Sequence, residues 1–192
     1  GSKKEMALEY IAACALFACA LLLARVGLPE YAHRLHPVAL RGATGMPWAT
    51  AFNLAAFVLP GALLAWAGLR LRAALATRGW WTRIGVVLAQ WSALAFAAQG
   101  LLPLDPRDVD AAASRLHVLA WMVWWRAFVP AALLLALGAG RGRGFAWACV
   151  GAAVLVPVLA VLAPIGAWVG VAQRLAFLLW FGWWIVASRS PR

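Results

Sequence analysis

Hydrophobic residues of this chain fall into six long runs separated by short polar stretches. A helix rises about 1.5 Å per residue, so roughly 20 apolar residues cross a hydrocarbon core about 30 Å thick. The pattern predicts an all-α, polytopic membrane protein, a single six-helix domain over residues 1–192. The predicted spans cover about 7–26, 49–68, 84–102, 116–137, 145–162 and 167–187, with a break at Pro164 before the last.

Basic residues collect at alternate gaps between these runs, and they predict which way the bundle faces. The set comprises Lys3, Lys4, Arg70, Arg72, Arg78, Arg83, Arg141, Arg143, Arg189 and Arg192. Loops rich in lysine and arginine stay on the cytoplasmic side of a membrane. The N and C termini are therefore expected in the cytoplasm. We expect a multi-pass protein of the bacterial inner membrane.

Composition narrows the classes of partner. The chain has 192 residues, 66% of them hydrophobic, and a mean hydropathy of +0.84, so no soluble domain fits beside six spans. A net charge of +11 would suggest nucleic acid in a soluble protein. Here the arginines lie at span ends, where they set topology and contact anionic lipids. Membrane lipids, and no nucleic acid, are the expected partners.

Tryptophan is abundant, with thirteen residues. Those near span ends are expected in the interfacial belt, where an indole N–H reaches water. They are Trp48, Trp80, Trp81, Trp147, Trp168, Trp183 and Trp184. Trp121 and Trp124 lie deeper and could either line a ligand cavity or pack against lipid and helices.

The fourth span carries the best candidate chemistry. Asp105-Pro106 is typical of a helix N-cap followed by proline at the first helical position. Spacings of four, three, four and three then place five residues on one face: Asp110, Ser114, His117, Trp121 and Trp124. His117 could act as a general base, or ligate a metal with Asp110. Alternatively, the acids cap the helix while Ser114 and His117 bond to neighbouring spans.

Two arginines fall inside predicted spans. Arg126 and Arg174 have no carboxylate at their own depth, and a bare charge in hydrocarbon costs at least about 2.5 kcal/mol. An anion-accepting pocket is one answer, and pairing with carbonyl groups is the other. Polar residues that could complete such a pocket in the outer half are Asn53, Gln99, Gln173 and Asp105. Each could equally be a hydrogen bond between helices.

His33 and His36 offer an alternative site in the loop after the first span. If the loop is helical, His-x-x-His spacing puts both on one side, and with His117 and an aspartate they could bind zinc. No other cofactor is predicted. The only lysines, Lys3 and Lys4, lie at the N terminus, which excludes a retinal Schiff base within a span.

Three short motifs carry a family resemblance. They are the loop 42–48 (GATGMPW) with Phe52-Asn53 after it, the segment 100–106 (GLLPLDP), and His117 downstream. Together they resemble a bacterial family of six-span proteins catalogued as domain of unknown function nine-hundred-and-ninety-eight. Leucine stands at position 102, where that family leads us to expect phenylalanine. The resemblance implies an outer-side cluster around Asn53, Asp105 and His117, and no activity.

These observations support three functional hypotheses. In the first, the protein binds, carries or senses a lipid-like or anionic amphipathic ligand, using Arg126, Arg174, Trp121 and Trp124. The second is a metal-assisted hydrolase at the outer interface, and whether the protein is an enzyme at all is open. The third is a scaffold that binds a membrane protein partner or forms a homo-oligomer.

Overall fold

A computed structural model describes residues 3–108, 110–163 and 166–189. The predicted break at Pro164 and the tail residue Arg192 lie outside these residues. Seven helices form the described chain: α1 Lys3–Leu22, α2 Val38–Arg41, α3 Ala49–Ala74, α4 Trp80–Leu101, α5 Ala112–Gly138, α6 Arg143–Leu162 and α7 Val169–Ser188. A single 3₁₀ turn, Gly166–Trp168, precedes α7.

Five of these helices, α3 to α7, are long and apolar enough to cross a membrane. In α1 the apolar part, Leu8–Leu22, is shorter. The all-α fold is confirmed, and the apolar helices support the prediction of a multi-pass membrane protein. A sixth crossing and the orientation of the termini stay predictions.

Several helix ends differ from the predicted ones. Helix α1 stops at Leu22, and the chain continues in tight turns, such as the bond from the Val26 amide to the Leu23 carbonyl at 3.0 Å. Helix α5 begins at Ala112, so the predicted N-cap at Asp105 is wrong. The Asp105 carboxylate instead accepts a bond from the Arg107 amide at 3.0 Å, which closes a local turn.

Two long helices contain a wider, π-helical turn. In α3 it spans Leu54–Val58 and divides the α-helical parts Ala49–Asn53 and Leu59–Ala74. In α6 it spans Val158–Leu162, directly after Arg143–Pro157. A proline lies beside each turn, and a proline ring clashes with the carbonyl four residues earlier in a regular α-helix. In α3 the carbonyl four residues before Pro60 belongs to the wider turn, which accommodates the clash. Such turns often occur at functional sites.

The core is an aromatic cluster to which α1, α3, α4, α5 and α7 contribute. Phe96 of α4 is its centre, with ring centroids 5.2 Å from Phe57, 5.3 Å from Phe177 and 4.8 Å from Trp180. Phe17 of α1 lies 5.7 Å from Phe177. This packing fixes the relative positions of the five helices and therefore of the segments that join them.

Trp183 and Trp184 belong to the core, so their predicted place in the interfacial belt is wrong. Trp183 is buried and donates its indole N–H to the Cys149 thiol at 3.3 Å. Trp184 is buried and packs 5.9 Å from the Tyr10 ring. At these two positions, burial between helices outweighs the preference of indole for the interface.

Contacts between connecting segments define two ends of the bundle. At the loop end, the segment 23–48 between α1 and α3 bonds to the segment after α4, from the Thr44 amide to the Leu104 carbonyl at 2.8 Å. It also bonds to α7, where the Gly170 amide donates to the Arg34 carbonyl at 2.8 Å. At the arginine end, the Arg141 guanidinium donates to the Ala187 carbonyl near the end of α7.

Candidate functional site

Arg41 is the most unusual side chain at the loop end. It closes the short helix α2, and only 3% of it is exposed. Its Nε donates to the Ala24 carbonyl at 2.6 Å, its Nη1 donates to the Pro47 carbonyl, and its guanidinium stacks 5.8 Å from the Phe52 ring. The described residues place no carboxylate beside it, since their one ion pair joins Arg70 to Glu9. Two carbonyl groups and the Phe52 ring therefore hold this buried positive charge, with no carboxylate among the described residues.

A cavity of about 330 Å³ opens beside Arg41, between the end of α1 and the start of α3. Its lining comprises Ala20, Leu23, Ala24, Val26, Arg41, Trp48, Ala51, Phe52 and Ala55. Arg41 is the only charged residue among them. Four alanines make the surface concave, because their methyl groups leave space that larger side chains would fill.

The Arg41 guanidinium keeps one unused donor group. Among the described residues, Nη2 has no hydrogen-bond partner, and it is not one of the fully buried polar atoms that lack one. Nη2 is therefore not fully enclosed, and Arg41 is one of the residues that line the cavity. An apolar cavity with one open, permanently charged donor suits an anion that carries a hydrocarbon part.

Trp48 belongs, with Ala51, to the lining of both this cavity and a second one. Its backbone is left-handed, with φ 58° and ψ 23°, and 79% of the side chain is exposed. A residue with a side chain rarely adopts that conformation, and such strain clusters at functional sites. The second cavity, of about 610 Å³, is more polar and includes Thr44, Thr50 and Asn53. Trp48 lines both cavities and is placed to contact a ligand in either.

Arg174, a predicted ligand contact, is instead engaged in holding the loop segment on α7. Its Nε donates to His33 Nδ1 at 3.1 Å, and its Nη1 donates to the carbonyls of His36 at 2.8 Å and Gly170 at 3.0 Å. Its Nη2 donates to the Tyr31 hydroxyl at 2.8 Å. Every nitrogen of this guanidinium has a partner within the protein.

Two neighbours reinforce that attachment. The Gln173 side-chain oxygen accepts a bond from the Val38 amide at 2.8 Å, at the start of α2. At Gly170 the loop passes so close that an added Cβ would stand 2.1 Å from the His33 carbonyl oxygen. Gln173 and Arg174 thus position the segment that carries Arg41. We therefore assign Gln173 and Arg174 a structural role, which is to hold in place a segment that lines the Arg41 cavity.

The attachment of the loop segment to α7 also shifts the pKa values of two loop side chains, His33 and Tyr31. Partial burial and the adjacent Arg174 and Arg25 charges lower the pKa of His33 below its usual value of 6.5. Burial raises the pKa of the Tyr31 hydroxyl, although the Arg174 charge opposes the rise. Neutral His33 can accept the bond from Arg174, whereas a protonated ring could not.

The predicted polar face of α5 is present, but its residues bond to the backbone. His117 is 6% exposed, and its Nδ1 lies 3.0 Å from the Gln99 carbonyl and 2.8 Å from that of Leu102. The Ser114 hydroxyl donates to the Asp108 carbonyl at 3.1 Å and accepts a bond from the Asp105 amide at the same distance. Both side chains therefore bond to the backbone at the end of α4 and in the segment that follows it.

The described residues show no catalytic arrangement of His117, Ser114 and Asp110. Asp110 is exposed, precedes the first turn of α5, and donates its amide to the Asp108 carboxylate at 2.9 Å. No hydrogen bond joins its carboxylate to His117 or Ser114 in the described part of the chain.

The histidines also do not meet as a metal site. In the described ranges, no group of three or more His, Cys, Asp or Glu side chains could hold a metal ion. His33 accepts a bond from a guanidinium, which repels a cation, and His36 Nδ1 accepts one from the Ala32 amide at 2.8 Å. His117 bonds to carbonyl groups near α4. This geometry does not support the three-histidine zinc hypothesis.

The remaining predicted ligand contacts are dispersed. Trp124 is completely buried in the aromatic core, 4.8 Å from the Phe177 ring. Trp121 is half-buried beside Trp125. Arg126 is exposed and stacks 5.3 Å from the Trp125 ring, on a different side of α5 from Trp124. The structure therefore does not bring Arg126 and Arg174 into one pocket.

Asn53, Gln99 and Asp105 lie near the end of α4. Asn53 donates to the Gly42 carbonyl at 2.9 Å and packs so closely that a Cβ on Gly42 would overlap its side chain. Gln99 is buried, and its Nε2 has no partner among the described residues. Asn53, Asp105 and His117 thus lie where the loop segment, the end of α4 and the start of α5 meet.

Comparison with known proteins adds no assignment. No family model matches the chain, and no curated protein or solved structure is similar to it. The family resemblance therefore stays a prediction. Sequence patterns also missed Arg41, because nothing in a polar loop indicates which arginine becomes buried beside a cavity.

Proposed function

We propose that this protein binds an anionic amphipathic ligand in the cavity between α1 and α3. The anionic group would bond to Arg41 Nη2, and the apolar part would lie against the alanines and Phe52. The observation that carries the proposal is a buried guanidinium with an unused donor, on a residue that lines an otherwise apolar cavity. Binding of this kind is required of both a carrier and a sensor.

The energetics of Arg41 favour a negatively charged occupant. Removing a charge from water costs several kcal/mol unless other groups compensate, and carbonyl groups compensate only in part. A carboxylate or phosphate would supply the missing counter-charge through charge-assisted bonds, which are roughly twice as strong as neutral ones. A neutral ligand would leave the guanidinium without that counter-charge.

The cavity size narrows the ligand class. At about 330 Å³, it lies at the small end of ligand sites. A water molecule takes about 30 Å³, so the cavity has room for several such volumes. This space suits an anionic head group and the first part of one hydrocarbon chain. The rest of the chain would continue into the bilayer along the exposed Leu23 and Val26. Single-chain acids fit this description best.

The proposal includes a topology of six spans with both ends of the chain cytoplasmic. Arg72, Arg83, Arg141 and Arg143 all belong to the arginine end, and the loop end is less basic. By the positive-inside rule the arginine end faces the cytoplasm. The Arg41 cavity would then open to the outer half of the membrane, in the inner membrane of a bacterium.

A paired-ligand binding assay tests the proposal. Protein in neutral detergent would be titrated with dodecanoate and with dodecanol, which share a chain and differ in charge. We expect dodecanoate to bind at least about tenfold more tightly, equivalent to 1.4 kcal/mol. Equal binding of the acid and the alcohol would contradict the role of Arg41.

Three variants distinguish a loss of ligand binding from a loss of folding. Ala51→Trp fills the cavity while leaving Arg41 in place, and Ala62→Trp adds the same ring at an exposed α3 position outside it. Only the first should abolish dodecanoate binding. Arg41→Lys keeps the charge but loses the forked donor that bonds to both Ala24 and Pro47, so it should weaken folding as well as binding. If Ala51→Trp binds normally, the ligand lies elsewhere.

A further inference from the structure

The charged side chain of Arg126 lies at a depth that would be unfavourable if only lipid surrounded the protein. It stands at the middle of α5, about 20 Å of helix from either end. Its side chain is exposed and contacts the Trp125 ring, with no hydrogen bond or ion pair among the described residues. Half of the hydrocarbon core is about 15 Å thick, so neither surface is within easy reach of this side chain.

The surface around Arg126 has the pattern of a helix-packing seam. Spacings of three and four run through Leu116, Leu119, Val123, Arg126, Pro130, Leu133 and Leu137, and only Pro130 is half-buried. That repeat is the one by which two helices interlock side chains along a common line. We call these seven residues the α5 seam.

A groove of about 270 Å³ adjoins the seam. Leu94, Ala95 and Ala98 of α4 form one wall, and Leu119 and Val123 of the seam form the other. Small side chains let helix backbones approach closely in membranes. A transmembrane helix lying in this groove would pass Arg126 about one turn beyond Val123.

We propose that the α5 seam binds a transmembrane helix of a different membrane protein, one with a carboxylate at mid-membrane depth that pairs with Arg126. Charge complementarity identifies the occupant. An unpaired arginine in hydrocarbon is strongly unfavourable, and membrane proteins pair such residues with one another.

A second copy of this chain cannot supply that carboxylate. The chain has six acidic residues: Glu5, Glu9, Glu30, Asp105, Asp108 and Asp110. Glu5 and Glu9 are in the first turns of α1, Glu30 is in the loop segment, and the aspartates precede α5. None stands at the middle of a helix. The counter-charge must therefore come from another protein.

A designed helix tests the inference without knowledge of the natural partner. Two leucine-rich single-span peptides, one with a central glutamate and one with leucine there, would be reconstituted with the full-length protein in phosphatidylcholine vesicles. Energy transfer between dyes on peptide and protein reports association. We expect the glutamate peptide to bind at least about tenfold more tightly, and Arg126→Leu to abolish that preference.

Arg115→Leu is the matched control, because it removes an exposed arginine from the same helix nearer its start. This variant should keep the preference for glutamate, and Arg126→Lys should keep most of it. Equal binding of both peptides, or a preference that survives in Arg126→Leu, would overturn the inference. So would a dimer of the native protein that Arg126→Leu dissociates, since the occupant would then be a second copy.

Discussion

Arg41 and Arg174 lie at the same end of the bundle and are both buried, yet they differ in what their donors do. Arg174 directs its three nitrogens at Tyr31, His33, His36 and Gly170. Arg41 uses two nitrogens to bond to Ala24 and Pro47, whereas its third has no partner among the described residues, and Arg41 lines a cavity. Burial alone therefore does not identify a ligand site. An unsatisfied donor beside empty space is the better criterion.

The largest effect should come from breaking the satisfied arginine. Arg174→Ala leaves the Tyr31, His33 and His36 groups without their donor, and each bond to a charged group contributes about 1.5–3 kcal/mol. We expect a loss of at least about 3 kcal/mol in the free energy of unfolding, measured by denaturant titration in detergent. Arg107→Ala, at an exposed loop position, should change it by less than about 0.5 kcal/mol. Equal losses in the two variants would contradict the assigned role.

Arg126 extends the comparison, because it is exposed and has no hydrogen bond or ion pair among the described residues. Arg126→Leu should raise the free energy of unfolding in lipid by about 2.5 kcal/mol, since an apolar side chain replaces a charge in hydrocarbon. The measurement is reversible unfolding from bilayers into aqueous denaturant, which transfers residue 126 from hydrocarbon to water. Arg115→Leu, nearer the surface, should give a smaller gain. A loss of stability in Arg126→Leu would show that the arginine has partners within the chain.

A pair of glycines tests how closely the loop segment approaches α7. Gly170→Ala places a methyl group 2.1 Å from the His33 carbonyl, and overpacking of this kind costs about 1–3 kcal/mol. Gly182→Ala on the same helix meets no atom within 4 Å and should stabilise the helix by about 0.5–1 kcal/mol. Thermal unfolding of the two variants compares them directly. Similar shifts in both would mean that the loop lies farther from α7.

The smallest effect concerns pH. The lowered pKa of His33 means that the folded protein favours the neutral ring, which faces the charges of Arg174 and Arg25 and the Tyr31 hydroxyl. Its contribution to stability is therefore complete above the usual pKa of 6.5. It is lost as the pH falls through the lowered folded value. Unfolding midpoints between pH 8 and pH 5 should fall more in the native protein than in His33→Gln. Parallel curves would exclude His33 as the cause.

The apolar runs predicted the long helices well, because membrane-spanning helices must satisfy their backbone internally and leave a continuous apolar signature. The helix ends were predicted less well. Ala112 replaces Asp105 as the start of α5, since a local turn uses the capping carboxylate. Similarly, α3 continues to Ala74, beyond the predicted end at Gly68, so Arg70 and Arg72 extend from the helix itself.

The candidate site was predicted only in part. Arg174 was correctly expected to need partners, and carbonyl groups are among them. Arg126 was expected to be enclosed, but a single helix has two sides and the periodicity of α5 could not show which one faces the bundle. Arg41 lies in a polar loop, where no hydrophobic periodicity indicates which side chains become buried. Its burial depends on contacts with α1 and α3 that arise only from the tertiary fold.

The attachment of the loop segment to α7 has a consequence for biogenesis. Val38 and Gln173 are 135 residues apart in the chain, and Tyr31 and Arg174 are 143 apart. A chain that inserts into the membrane as it is synthesised releases the first loop long before the last helix exists. The Arg41 cavity therefore takes its final shape only when synthesis is almost complete. A protein truncated before α7 would enter the bilayer without a finished Arg41 cavity.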